Sequence, residues 1–148
     1  MKSEEFASAF ESEIRNSELK SEFVIRNSEL KTMFYVIISI GSNSCQAAHM
    51  QWASQRLAGV LGDVRFSRIL WTEDIHGTGI FYMNRLAGGY TTLTAEELTR
   101  LLKDIEAETG RTKQRVTIDL DLMEYDNKRF HIADWSRPYI KNIIDDIL

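Results

Sequence analysis

Hydrophobic and polar positions along the chain alternate in some stretches and recur at helical spacing in others. From Val116 to Met123 they alternate: Val116, Ile118, Leu120 and Leu122 point one way, and Thr117, Asp119, Asp121 and Met123 the other, as in a strand. Phe34 to Ile40 is a continuous apolar, β-branched run, which predicts a buried central strand ending in the turn composition Gly41-Ser42-Asn43-Ser44. Ala47 to Leu61 predicts a helix, with Met50, Leu57 and Leu61 on one face and Gly62 as its stop. Val64 to Trp71 predicts a second strand and Thr72 to Gly79 a loop. Ile80 to Leu86 predicts a third strand, which Gly88-Gly89 bulges or ends. Thr94-Ala95-Glu96-Glu97 starts a helix with a threonine cap and first-turn acids; Leu98, Leu101, Leu102 and Ile105 supply its buried face and Gly110 stops it. After the strand Val116–Met123, Asp126-Asn127-Lys128 makes a turn and Arg129 to Ile132 a short returning strand. Pro138 opens a last helix carrying Ile140, Ile143, Ile144 and Ile147. The order βαββαβ, then a hairpin strand and a short helix, predicts an α+β fold of the ferredoxin-like split-βαβ kind.

Residues 1–32 read differently, as an N-terminal arm ahead of a domain at 33–148. Ile14-Arg15-Asn16-Ser17-Glu18-Leu19-Lys20 returns eleven residues later as Ile25-Arg26-Asn27-Ser28-Glu29-Leu30-Lys31, a spacing close to three helical turns, so helix is expected. On a helical wheel, however, Phe6, Phe10, Ile14 and Ile25 oppose Leu19, Phe23 and Leu30, so no single apolar stripe forms. The arm is either frayed and partner-dependent or a duplicated tract upstream of a natural start at Met33. The abrupt beginning of the domain favours the second; recovery of Lys2 or Ser3 by N-terminal sequencing of native protein would count against it.

Composition narrows the function classes. The 148 residues suffice for one domain, and 43% hydrophobic with 27% charged residues is ordinary for a soluble globular protein. A net charge of −4 argues against a general nucleic-acid binder. The single Cys45 cannot form an internal disulfide, which fits a reducing compartment. No apolar run spans a bilayer and no signal-peptide core is visible, so a cytoplasmic location without membrane partners is the expectation.

The chemistry concentrates on Asp119 and Asp121. Two residues apart on a strand, they project from one face roughly 6–7 Å apart at the backbone. Such a pair repels unless a cation sits between its members. Oxygen-only ligands on a strand suit Mg²⁺, which takes its other ligands from water and phosphates. Asp-x-Asp alone is more often a solvated strand face than a metal site. His49 and His131 lack metal-ligand spacing to a partner, His76 lies in the loop after Thr72 and reads as an exposed loop histidine ahead of a ligand contact, and Cys45 has no recognisable base nearby. Trp52, Trp71 and Trp135 read as packing residues.

Several further motifs, taken in order, resemble the 6-hydroxymethyl-7,8-dihydropterin pyrophosphokinase family. They are Ile38-Ser39-Ile40-Gly41-Ser42-Asn43, Trp71-Thr72, Phe81-Tyr82-Met83-Asn84, Ile105-Glu106 with Gly110-Arg111, and Ile118-Asp119-Leu120-Asp121-Leu122-Met123. The resemblance begins at Phe34 and excludes the arm. It implies transfer of pyrophosphate from ATP to the hydroxymethyl group of a reduced pterin, giving AMP, in folate biosynthesis. Asp119 and Asp121 would hold two Mg²⁺ and, with Arg111, carry catalysis. Thr72, Tyr82, Asn84 and Tyr139 would bind the pterin, the tyrosines by stacking and the amide at the ring edge. Glu106, Arg111, Lys113, Arg115 and Arg137 would bind the nucleotide. The partners implied are small molecules only, and the expected state is a monomer, with association through the arm as the alternative.

The chain departs from the family pattern in three places. Only Thr112-Lys113-Gln114-Arg115 separates Arg111 from the acidic strand, where the family has a longer lid loop, and Val116 stands in place of an arginine. Glu73-Asp74-Ile75-His76 replaces a proline-rich stretch, and no Pro-His pair precedes Arg137. These departures keep two alternatives in view: a non-catalytic pterin- or nucleotide-binding paralogue on the same fold, and an interaction module assembled through its arm.

Overall fold

The computed structural model describes residues 21–26 and 29–148, with side chains from residue 31 onward. Among the described residues, seven strands form one sheet: β1 (Ser21–Arg26), β2 (Glu29–Ser42), β3 (Gly62–Phe66), β4 (Leu70–Glu73), β5 (Phe81–Thr91), β6 (Asp119–Tyr125) and β7 (Lys128–Arg129). Among the same described residues the helices are α1 (Gln46–Val60), α2 (Ala95–Ala107) and α3 (Pro138–Ile143), with 3₁₀ turns at Ile132–Ser136 and Ile144–Asp146. The order across the sheet is β3-β5-β2-β6-β7, with β4 also beside β5 and β1 beside β2, and every pairing is antiparallel.

The apolar run Phe34–Ile40 lies centrally, between β5 and β6, with Val36, Ile37, Ile38 and Ile40 all buried. Its two faces feed two cores. Val36, Ile38 and Ile40 join Met50, Ala53 and Leu57 of α1 and Leu98, Leu102 and Ile105 of α2. On the other face Ile37, Leu86 and Met123 pack against Ile140, Ile143 and Ile147. The helix signals hold: Thr94 Oγ1 accepts from Glu97 N while Glu97 Oε1 accepts from Thr94 N, a complete capping box, and Pro138 opens α3.

Several boundaries differ from the sequence pattern. In place of a helix over residues 21–32, the described backbone is extended, and β1 and β2 pair as a hairpin from Ser21↔Phe34 to Arg26↔Glu29. Strand pairing overrides the eleven-residue spacing in a segment that also carries the β-formers Phe23, Val24 and Ile25. Most of the proposed arm, residues 1–20 and 27–28, lies outside the described residues, along with its expected split of apolar sides.

The expected strand Val64–Trp71 is two strands. At the break Ser67 Oγ accepts from Leu86 N at 2.8 Å, and Arg68 N turns outward to Asp146 Oδ2 at 2.8 Å. Gly88-Gly89 does not end β5, which runs on to Thr91, but the ladder to β3 is irregular here: its register shifts between Gly62, opposite Tyr90, and Arg65, opposite Gly88. A Cβ on Gly88 would overlap Tyr35 Oη, and one on Gly89 would lie 3.1 Å from Gly62 O and Leu61 Cβ, so the glycines admit close neighbours. The acidic strand begins at Asp119 rather than Val116, because the Val116 backbone pairs with Asn43 instead. The returning strand is only Lys128–Arg129; Ile132 starts a 3₁₀ turn and is exposed.

Candidate active site

The face of the sheet that carries Ile37, Leu86 and Met123 is covered by α3 only in part. Following each strand past that cover, the side chains turn polar: Ser39 and Gly41 on β2, Asn84 and Tyr82 on β5, Asp121 and Asp119 on β6. These residues line a cavity of about 580 Å³, closed by Thr72 and the loop after β4, by Lys113 and Gln114, and by Arg137 and Tyr139. Strand register fixes the arrangement. Gly41 pairs with Asn84 on one side and Asp119 on the other, placing those two about 10 Å apart at the backbone. Asp121 pairs with Ser39 in the next row.

Asn84 is buried, and its Nδ2 donates to Thr72 Oγ1 at 2.8 Å. With its donor engaged, the amide offers Oδ1, which lies 3.7 Å from the place a Cβ on Gly41 would occupy. Tyr82 and Tyr139 both reach the cavity. Burial, partly offset by Arg137, raises the Tyr139 phenol above its ordinary pKa and keeps it neutral.

The two aspartates have unlike surroundings. Asp119 Oδ1 accepts from Arg111 Nη1 at 3.0 Å. Asp121 is raised above the ordinary carboxylate pKa, first by burial and then by the Asp119 charge; His131 and Lys103 act in the opposite direction. The cavity wall also carries Glu73, Asp74 and Asp134, against Lys113 and Arg137, and Arg137 Nε is held by Asp134 Oδ1 at 2.8 Å. A phosphate group entering this wall requires added positive charge. Among the described residues no cluster of three or more His, Cys, Asp or Glu could hold a metal ion. Two strand carboxylates, of which Asp119 takes Arg111 and Asp121 is raised by burial, are oxygen ligands that fit Mg²⁺, which completes its shell with water and phosphate oxygens.

The structure thus brings together Asp119, Asp121, Thr72, Tyr82, Asn84, Tyr139, Lys113 and Arg137. Three candidates, Arg111, Glu106 and Arg115, do not line this cavity. Arg111 Nη1 bridges Asp119 and Glu106 Oε1, each at 3.0 Å. Burial works to lower its pKa, and Asp119 and Glu106 more than reverse this. Glu106 is buried and its Oε2 accepts the Leu120 backbone N–H at 2.7 Å. Arg115 Nε donates to Ser44 Oγ at 3.3 Å.

Other features carry no signal in sequence spacing. A second cavity of about 770 Å³ lies between α2 and the outer edge of β6, lined by Thr99, Leu102, Lys103, Leu122 and His131. Asp121 lines both cavities. β7 covers β6 only at Glu124 and Tyr125, so the strand edge ahead of that pair faces this second space. His131, set aside as a lone histidine, reaches it through a left-handed backbone conformation (φ 51°). Glycine-Ser-Asn reads as a plain turn, yet Gly41 is the cavity floor and Asn43 lines its wall.

No curated protein was found to match the chain. No helix among the described residues is long and apolar enough to cross a membrane. Residues 37–147, three quarters of the chain, match the sequence profile of the 7,8-dihydro-6-hydroxymethylpterin-pyrophosphokinase (HPPK) family. They contain every residue of both cavities, and the chain belongs to that family.

Proposed function

We propose that the protein transfers pyrophosphate from ATP to the hydroxymethyl group of 6-hydroxymethyl-7,8-dihydropterin, in a Mg²⁺-dependent reaction that releases AMP. Family membership supports a pyrophosphokinase role in folate synthesis. The observation that carries the finer reading is that Asp121 lines two cavities at once. One has tyrosines and an amide suited to a flat heterocycle; the other has Lys103 and His131 beside an open strand edge suited to a nucleotide. The pterin is assigned to the first and the nucleotide base to the second, so its phosphates run across β6 at the aspartates. The strand order β3-β5-β2-β6 around two long helices supports the ferredoxin-like description.

Asp119 and Asp121 would hold the Mg²⁺, which supplies neutralising charge to the phosphates. The protein's own part is positioning. Thr72 and Asn84 fix the ring edge, and Tyr82 and Tyr139 fix its plane. Lys113 and Arg137 face the phosphate oxygens, Arg137 exchanging Asp134 for phosphate. Arg111 and Glu106 hold Asp119 and the strand beneath it. The hydroxymethyl oxygen forms its bond to the β-phosphorus as the bond to the departing AMP oxygen breaks, and the hydroxyl proton leaves to solvent. No side-chain nucleophile is required, since such transfers depend on alignment and charge stabilisation. A reducing, cytoplasmic setting accords with the single Cys45.

The test is AMP release from ATP, Mg²⁺ and hydroxymethyldihydropterin, abolished in D119A or D121A. AMP no higher than a blank refutes it. Arg111, locked between two acids, and the short 112–115 segment favour one second reading, a protein that binds pterin or nucleotide without turnover. Calorimetric binding of pterin in the absence of AMP release would establish that reading instead.

A further inference from the structure

Building on the proposed transfer, we infer that Asn43 is a positioning residue that ties the Tyr82 ring to segment 112–116, so that one side chain orders the ring wall and the phosphate-side wall together. Asn43 lies just past the end of β2, and both faces of its amide are used. Oδ1 accepts the Val116 backbone N–H at 2.8 Å, and Nδ2 donates to Tyr82 Oη at 3.2 Å. Its own backbone N–H donates to Val116 O at 2.9 Å.

Segment 112–116 is otherwise held largely by itself. Thr112 N donates to Arg115 O and Arg115 N to Thr112 Oγ1, both at 3.0 Å. Outward, Arg115 Nε donates to Ser44 Oγ, on the same turn as Asn43, and Arg115 O accepts from Thr117 N at 3.1 Å. At its tip Lys113 and Gln114 line the cavity. The post-β2 turn is therefore a bracket, with Tyr82 at one end and Lys113 at the other. Removing the amide frees both: the Tyr82 hydroxyl loses a partner, and the Val116 N–H loses its acceptor.

The experiment compares N43A, N43S, N43D and Y82F by separate KM values for ATP and pterin, and by amide hydrogen exchange at Val116. N43A should raise both KM values about ten-fold, the scale of losing bonds of this kind. N43S, which cannot span both partners, should show the same pattern, so a folding failure of one variant leaves the other to decide. Y82F should raise the pterin KM while leaving the ATP KM within about two-fold. N43D should restore both, because a carboxylate accepts Val116 N–H and the tyrosine O–H at once. Exchange at Val116 should quicken in N43A and N43S and stay slow in Y82F and N43D. A rise in only one KM, or slow Val116 exchange in N43A and N43S, overturns the inference. Absence of turnover in the unaltered protein would sink the proposed function alone. Calorimetry with pterin and a non-hydrolysable ATP analogue would then replace KM, and the exchange measurement would still decide the role of Asn43.

Discussion

Glu106 accepts the backbone N–H of Leu120 at 2.7 Å, and Leu120 is the residue between the two aspartates. The contact satisfies a backbone donor on the β6 edge where β7 gives no cover. The same carboxylate takes Arg111, which in turn holds Asp119. Glu106→Ala leaves a buried N–H unsatisfied and is expected to cost about 1–3 kcal/mol in urea unfolding. Glu106→Gln keeps an acceptor for Leu120 and should cost less. Equal losses in the two variants would show that the Leu120 contact contributes little.

Gly41 sits in one row between Asn84 and Asp119. A Cβ there would lie 3.7 Å from Asn84 Oδ1 and from Tyr82 Cδ2, and 4.0 Å from Asp119 Cβ, all ordinary contacts. Gly41→Ala is therefore expected to fold with Tm changed little, and to weaken pterin binding by filling the floor. Gly41→Val should weaken it further. Calorimetric titration beside a thermal melt separates the two effects. Undiminished pterin binding in both variants would place the ring elsewhere.

The orientation of the acidic pair was legible because a strand has period two and its alternate residues, Ile118, Leu120 and Leu122, are unmistakably apolar. Asn84 and Tyr82 followed by the same rule on β5. What defeated sequence reasoning was partner choice over distance. Glu106 on α2 selects a backbone donor on β6, and Arg111 selects two acids, through tertiary geometry with no spacing to announce it. Gly88-Gly89 looks like any strand break until Tyr35 is found above it. His131 meets the Asp121 cavity through a backbone conformation that a lone histidine does not advertise. In the described part of residues 21–32 two local signals competed, and hairpin pairing with the start of β2 prevailed over the helical spacing.

Tyr35 Oη donates to Ile147 O at 2.6 Å and so ties the C-terminal turn to β2. A Cβ on Gly88 would overlap that oxygen and lie 3.0 Å from Tyr35 Cζ. Gly88→Ala is expected to destabilise by about 1–3 kcal/mol through overpacking. In the Tyr35→Phe background the added methyl meets no hydroxyl, so the cost of Gly88→Ala should shrink. Chemical unfolding of the two single variants and the double variant gives the coupling directly. Strict additivity would mean that the ring moves aside freely.

Asp146 holds the same C-terminal turn from the other side. Its Oδ2 accepts from Arg68 N at 2.8 Å and Arg68 Nε at 2.9 Å, while Arg68 Nη2 donates to Asn142 O at 2.6 Å. The Arg68 backbone bond first, then its side-chain bond, hold the Asp146 carboxyl below its ordinary pKa of 3.8. A folded-state pKa below the unfolded value means that the unfolded chain binds the proton first. The stabilisation is therefore complete above the ordinary carboxylate range and disappears as pH falls through the depressed value. D146N lacks this linkage. Its Tm should lie below that of the unaltered protein near neutrality, and the two should converge as pH drops beneath that range. Salt should narrow the neutral-pH gap, since the pair is exposed to solvent. A gap of constant size from neutral to acid pH would assign the contact to packing rather than charge.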